Sequence, residues 1–223
     1  MTRTLTVAIA MTVALLVAFM GGCAVPVPEE PGNLDAIEIR DYQGENLSSI
    51  KDFRENSIKG PQYVDPERYD LKVYGQVDDE KTYLYDDVLD SFESYEKVVT
   101  LDCVEGWSVT LLWEGVLVRD LLDDVGLAPE AKVVIFRAVD YYSTALPIEY
   151  FYENDILLAH TMNGVVLPPE RGFPFQLVAE SKWGYKWIKW VHEIELSDDV
   201  DYKGYWEQQG FSNEADTDNS FFE

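Results

Sequence analysis

The sequence predicts an α+β fold, strand-rich mixed sheets with a few helices between them. Three observations lead there. Short runs of β-branched and aromatic residues recur along the chain, helical periodicity is confined to brief segments, and the two do not alternate in the regular βαβ order of a parallel sheet. In chain order the strand-like runs are Tyr69–Val77, Lys97–Val104, Val109–Trp113, Lys132–Ala138 and Phe175–Ala179. Asn163-Gly164 lies between Leu157–Met162 and Val165–Leu167, the usual two-residue hairpin signal. Val118–Val125 places Val118, Leu121, Leu122 and Val125 on one helical face, and Gly126 follows as the natural C-terminal stop. Tyr85–Phe92 and Ile148–Tyr152 are shorter helical segments.

The 223 residues carry 17 Lys+Arg against 42 Asp+Glu, a formal net charge of -25. A nucleic-acid binder needs a basic footprint to displace counterions, so that class is excluded. With 47% hydrophobic residues the chain can bury a core, which separates it from disordered acidic sequences. Two cysteines cannot staple a disulfide mini-protein.

Residues 1–22 read as an address. Arg3 precedes an uncharged apolar run from Leu5 to Met20, and Gly21-Gly22 leads into Cys23. Small residues before a cysteine point to a signal peptide of lipoprotein type, with Cys23 as the lipidation site. An uncleaved anchor and plain secretion are the competing readings. All three place the remainder outside the cytoplasm, and the first two hold it at the cell membrane. Residues 23–35 read as a Pro-rich spacer, 36–211 as one domain, and 212–223 as a flexible acidic tail. With Cys23 lipidated, Cys103 is the one thiol left in the domain.

Cys103 ends a strand and is followed by a turn containing Gly106. From the residues alone it is a buried small hydrophobe, a nucleophile or a soft metal ligand. His160 and His192 read as structural or surface residues, since nothing in the sequence brings either to the thiol. Lys182, Lys186 and Lys189 crowd into one aromatic-rich stretch, Ser181–Trp190, with Arg171 just upstream. In so acidic a chain this is either an anion pocket, as for phosphate, or a set of solvated lysines paired with surplus acids over core tryptophans. Asp140-Tyr141-Tyr142-Ser143 either lines a polar pocket or is a plain loop. No phosphate-binding Gly-rich loop, Cys-x-x-Cys pair or GxSxG elbow is present.

The stretch Cys103-Val104-Glu105-Gly106-Trp107-Ser108, then Trp113-Glu114-Gly115-Val116 and Arg119-Asp120-Leu121-Leu122, resembles the oxidoreductase molybdopterin-binding domain. That is the catalytic domain of the sulfite oxidase family and of the methionine-sulfoxide reductase catalytic subunit. Leu157-Leu158-Ala159, Met162-Asn163-Gly164, Gly172-Phe173-Pro174 and Gly184–Trp190 match later blocks in the same order. The resemblance covers roughly residues 65–196.

It implies a sulfite-oxidase-type molybdopterin-binding fold, with Cys103 as the thiolate ligand of molybdenum and as the catalytic cysteine. It further implies that Lys189, with Lys186 beside it, contacts the pterin phosphate, and that Arg171, Gln176 and Asp140 belong to the cofactor site. Arg171 stands where relatives commonly have His, Gln176 where they have Arg, and Tyr141 where they have Gly. The implied function is an extracytoplasmic, membrane-tethered, molybdopterin-dependent oxidoreductase. It would transfer an oxygen atom and two electrons on a small substrate, a sulfur oxyanion or a sulfoxide, with an external electron carrier. Gln176 and Tyr141 motivate the alternative, a cofactor-free binding lipoprotein that keeps the same fold.

Overall fold

The computed structural model describes residues 34–223. The expected signal over 1–22, Cys23 and residues 24–33 of the expected spacer lie outside the described residues.

The described part opens with a short helix, α1 (Leu34–Ile37), and a small hairpin of β1 (Asp41–Tyr42) and β2 (Glu45–Asn46). There follow β3 (Asp70–Gly75), β4 (Lys81–Leu84), α2 (Tyr85–Ser91), β5 (Ser94–Asp102), β6 (Ser108–Leu117) and α3 (Val118–Val125). Then come β7 (Val133–Ala138), β8 (Ser143–Pro147), α4 (Ile148–Glu153), β9 (Leu157–Met162), β10 (Val165–Val166), β11 (Gln176–Val178) and β12 (Val191–Ser197). Short 3-10 turns lie at Pro169–Arg171, Gly184–Lys186 and Glu207–Gln209.

Two five-stranded sheets carry the fold. In the first, β6 lies between β5 and β9, and both β10 and β11 pair along the other edge of β9. All its pairings are antiparallel. The second runs β4-β3-β12-β7-β8, with β12 parallel to β3 and antiparallel to β7, so it is mixed as the sequence predicts.

The expected runs fold largely where the pattern places them. α3 buries Val118, Leu121, Leu122 and Val125, and Gly126 follows at φ 69. Burying four such side chains contributes about 1.5–3 kcal/mol each, which stabilises a helix too short to persist alone. One continuous core joins the two sheets. Trp113 on β6 meets Trp187 in a tilted pair at 5.7 Å, and Phe136 on β7 meets Phe151 of α4 at 5.7 Å.

Three differences from the sequence reading stand out. β12, central in the second sheet, belongs to no predicted run, because His192, Glu193 and Glu195 occupy its outward positions and dilute its apolar content. β8 begins at Ser143, read as the end of a loop, and runs through residues that no predicted run covers; Thr144, Ala145 and Leu146 are buried, and Pro147 ends it at the sheet edge. The third difference lies at the ends of the expected domain. α1 begins inside the expected spacer, with Leu34 buried. Residues 212–223 are not a loose tail. Ala215 is fully buried, Trp183 donates its backbone N–H to the Ala215 carbonyl, and Lys182 pairs with Asp216. Phe221 and Phe222 pack on Phe211. The acids of this segment set its composition, but a few apolar residues among them set its conformation.

Candidate active site

The hairpin of β5 and β6 fixes the thiol. Its last pair is Asp102–Ser108, and Cys103 is the next residue. The Cys103 N–H donates to the Trp107 carbonyl at 2.9 Å, and the Gly106 N–H donates to the Cys103 carbonyl at 2.9 Å. Closing so tight a turn puts Gly106 at φ 86, a conformation that suits glycine. The 3-10 turn Gly184–Lys186 lies directly on the end of β5. A Cβ on Gly184 would stand 3.3 Å from the Asp102 carbonyl oxygen and 3.6 Å from Cys103 Cα.

The thiol lies in the wall of a cavity of about 460 Å³. It is only 8% exposed, and the Asn56 side-chain amide donates towards its Sγ at 3.8 Å. Burial pushes the thiol pKa up, and the Glu105 charge adds to this; hydrogen bonds from the Glu105 backbone and Asn56 oppose it. Burial thus favours the neutral thiol, and a bound soft cation is what would hold it as thiolate.

The cationic part of the cavity is built by the 3-10 turn Pro169–Arg171 and by Lys189. Arg171 is buried, stacked 3.9 Å from the Phe53 ring centroid. Its Nη1 donates to the Arg54 carbonyl at 3.2 Å and its Nη2 to the Phe53 carbonyl at 2.8 Å. Its Nε–H is buried without a partner among the described residues, as is the Ser57 hydroxyl. Lys189 Nζ donates to Glu55 at 2.6 Å and to the Glu170 carbonyl at 3.2 Å, 4.3 Å from the Trp190 ring centroid. Burial pulls the Lys189 pKa down while Glu55 supports its charge. Gln176 lines the same cavity. Asp140 does so from the loop between β7 and β8, where it accepts the Tyr142 N–H at 3.0 Å.

The fold thus brings together Cys103, Arg171, Lys189, Gln176 and Asp140. It does not bring Lys186. That side chain is fully buried away from the cavity, donating to Glu207 at 2.6 Å, the Ala145 carbonyl at 3.0 Å and Asn213 at 3.3 Å. Each clustered lysine has an acid: Lys182 has Asp216, Lys186 has Glu207 and Lys189 has Glu55. Lys189 alone of the three faces the cavity. His160 sits between Ser94 and Thr161 hydroxyls, and neither it nor His192 lines the cavity.

The segment Phe53–Ser57, with Arg54, Glu55 and Asn56 on the cavity wall, belongs to no motif in the sequence. Trp206 and Phe211, also on the wall, follow the last strand. Nothing local in either stretch marks it. Among the described residues no group of three or more His, Cys, Asp or Glu side chains could hold a metal. Cys103 is therefore a single soft donor, suited to a metal that arrives with most of its own ligands.

Comparison with known proteins agrees with this chemistry. Residues 58–206 match the model of the oxidoreductase molybdopterin binding domain. The chain is 34% identical over 157 residues to the uncharacterized oxidoreductase YuiH of Bacillus subtilis (strain 168), covering 70% of this chain and 78% of YuiH. It is 32% identical over 149 residues to the putative protein-methionine-sulfoxide reductase subunit YedZ1 of Azospira oryzae, covering 67% of this chain and 56% of that protein. The sulfane dehydrogenase SoxCD of Paracoccus pantotrophus shares the fold, with TM-score 0.63 at 18% identity over 90% of this chain. This chain spans 62% of that SoxCD chain.

Proposed function

The chain belongs to the oxidoreductase molybdopterin-binding domain family and is a molybdopterin-dependent oxidoreductase; from that premise we propose that it catalyses two-electron oxygen-atom transfer on a small substrate, outside the cytoplasm, tethered by lipid on Cys23. One observation carries the reading of the site. A single cavity holds a buried soft donor, Cys103, and an arginine whose buried Nε–H has no partner among the described residues.

The residues fit the group. A sulfur-rich, phosphate-bearing cofactor needs one thiolate, cations for its phosphate and polar groups for its pterin edge. Cys103 supplies the first as molybdenum ligand. Lys189 and Arg171 supply the second, Arg171 through its free Nε–H. Gln176 and Asp140 supply the third. Gln176 carries no charge, so the cationic role rests on its two neighbours. When bound, the molybdenum-pterin provides the two-electron redox chemistry. The chain's own residues hold Sγ in place through the 103–107 turn, direct the Asn56 amide at it, and leave it only slightly exposed.

Glu55, Glu105, Asp140 and Glu170 line the same cavity. Together with a net charge of -25 they disfavour a free sulfur oxyanion and favour a neutral sulfoxide. In its reduction the S–O bond breaks, and the oxygen leaves as water with two electrons and two protons. The electrons come from an external carrier, and the chain's charge favours a basic one. Among the described residues no helix is long and apolar enough to cross a membrane.

Molybdenum analysis of protein made in a host with the cofactor pathway tests the site. The wild type is expected to hold about one atom per chain, and Cys103→Ser none, with the fold unchanged by circular dichroism. A stably folded wild type without metal would overturn the proposal. For the tether, mass spectrometry of native membranes should find Cys23 acylated at a new N-terminus; an unmodified residue 23 rules it out.

A further inference from the structure

The cavity has two chemically different walls. Arg171, Lys189 and Glu55 form a polar one, tied to the segment Phe53–Ser57. The other is aromatic and lies beyond Gly184, the residue packed on Cys103. Tyr185 meets Phe211 edge-on at 5.2 Å, and Phe211 meets Trp206 at 5.1 Å. Tyr142 closes the group by donating its hydroxyl to the Tyr185 carbonyl at 2.5 Å.

This wall is held in place from outside the cavity. The Tyr205 N–H donates to the Ser143 carbonyl at 2.9 Å, and a Cβ on Gly204 would stand 2.2 Å from that same oxygen. On the other side of Trp206, Glu207 is anchored by Lys186 and by the Thr144 hydroxyl at 2.7 Å. Both neighbours of Trp206 are thus fixed, yet Trp206, which lines the cavity, remains 37% exposed. Phe211 is backed by Phe222 at 4.9 Å. Such a surface is costly to leave open to water and offers a flat apolar group little loss of its own freedom on binding. Lys186, the nearby cation, is paired with Glu207 and does not line the cavity, whereas Glu105 does and accepts the Trp107 indole N–H at 3.0 Å.

We propose that Trp206 and Phe211 determine substrate specificity, selecting neutral oxides that carry an aryl or similarly flat apolar substituent over small oxides and oxyanions. The inference rests on the reading of the cavity as an oxygen-transfer site, and it names the substrate class of that site.

Two measurements on the purified holoenzyme test it. In the first, methyl p-tolyl sulfoxide and dimethyl sulfoxide are reduced with reduced benzyl viologen. Each sulfoxide takes one electron from each of two viologens and two protons, and yields the sulfide, water and two oxidised viologens. The aryl substrate is expected to lead in kcat/KM by about tenfold, the equivalent of about 1.4 kcal/mol of aromatic contact. Trp206→Ala should remove that lead by raising KM for the aryl sulfoxide about tenfold more than for dimethyl sulfoxide, and Trp206→Phe should restore most of it. In the second, the unreactive methyl p-tolyl sulfone is titrated calorimetrically, and its affinity should fall about tenfold in Trp206→Ala at unchanged molybdenum content. An aryl preference or sulfone affinity indifferent to Trp206, or an equal loss for both sulfoxides, overturns the specificity wall. Trp206-dependent sulfone binding without turnover of either sulfoxide supports the wall and rejects the oxygen-transfer reading instead.

Discussion

Consider Lys186→Met. The ammonium group of Lys186 and the carboxylate of Glu207 are both fully buried, 2.6 Å apart. Burial pulls the lysine pKa down, and the Glu207 charge supports the cation. Methionine keeps most of the side-chain volume but removes every donor. Glu207 would keep only the Thr144 hydroxyl at 2.7 Å, with Oε2 already lacking a partner among the described residues. Leaving one charge of a buried pair uncompensated costs about 3–5 kcal/mol. At about 2–4 °C per kcal/mol for a domain of this size, the melting midpoint should fall by roughly 6–20 °C. Adding Glu207→Gln removes the stranded charge and should recover about 2 kcal/mol or more. The assay is urea and thermal denaturation of both single variants and the double variant, with molybdenum per chain measured well below each midpoint. Lys186→Met should keep its metal there, because Nζ faces away from the cavity. A variant within about 1 kcal/mol of wild type that has lost its metal would refute the reasoning. It would return Lys186 to the cofactor.

Lys189→Ala should leave the fold intact but weaken cofactor retention by about 10–100-fold, the loss of one charge-assisted contact; dialysis followed by metal analysis checks it. Truncation after Ser212 removes the buried Ala215, the Asn213 contact to Lys186 and the Phe221–Phe222 packing, so it should lower stability by several kcal/mol in urea titrations. His160 supplies a pH signature. Burial holds its pKa below the usual 6.5, so the unfolded chain binds the proton more readily. The stability from keeping this residue neutral is present above about pH 6.5 and is lost as pH falls towards the folded value. His160→Asn should therefore flatten the stability–pH profile below 6.5, as read by melting points in matched buffers.

The thiol and its turn were legible in the sequence because a strand end, a cysteine and a glycine within four residues are a local pattern. The same holds for α3 and for the hairpin around Asn163-Gly164, whose signals lie within one turn or one pair of strands. The pairing of charges was not legible. Lys186 and Lys189 stand three residues apart in one motif, yet one meets Glu207 and the other Glu55. That choice depends on which way each side chain leaves the backbone, Lys186 from the 3-10 turn Gly184–Lys186 and Lys189 from the segment after it, and on what the distant segments place there.

Composition, periodicity and short motifs by themselves determined the fold class, the acidic exterior, the single soft donor and the family it resembles. Only the tertiary structure decided which cations face the cavity, that Asn56 reaches the thiol, that the last twelve residues are tied down at Ala215, Asp216 and the Phe221–Phe222 pair, and that Trp206 and Phe211 form a wall. The physical reason is range. Backbone preference and apolar periodicity act within a few residues and are written locally. A binding site is a meeting of side chains from segments up to more than a hundred residues apart, as with Lys189 and Glu55, and their meeting is decided only when the core they share is buried.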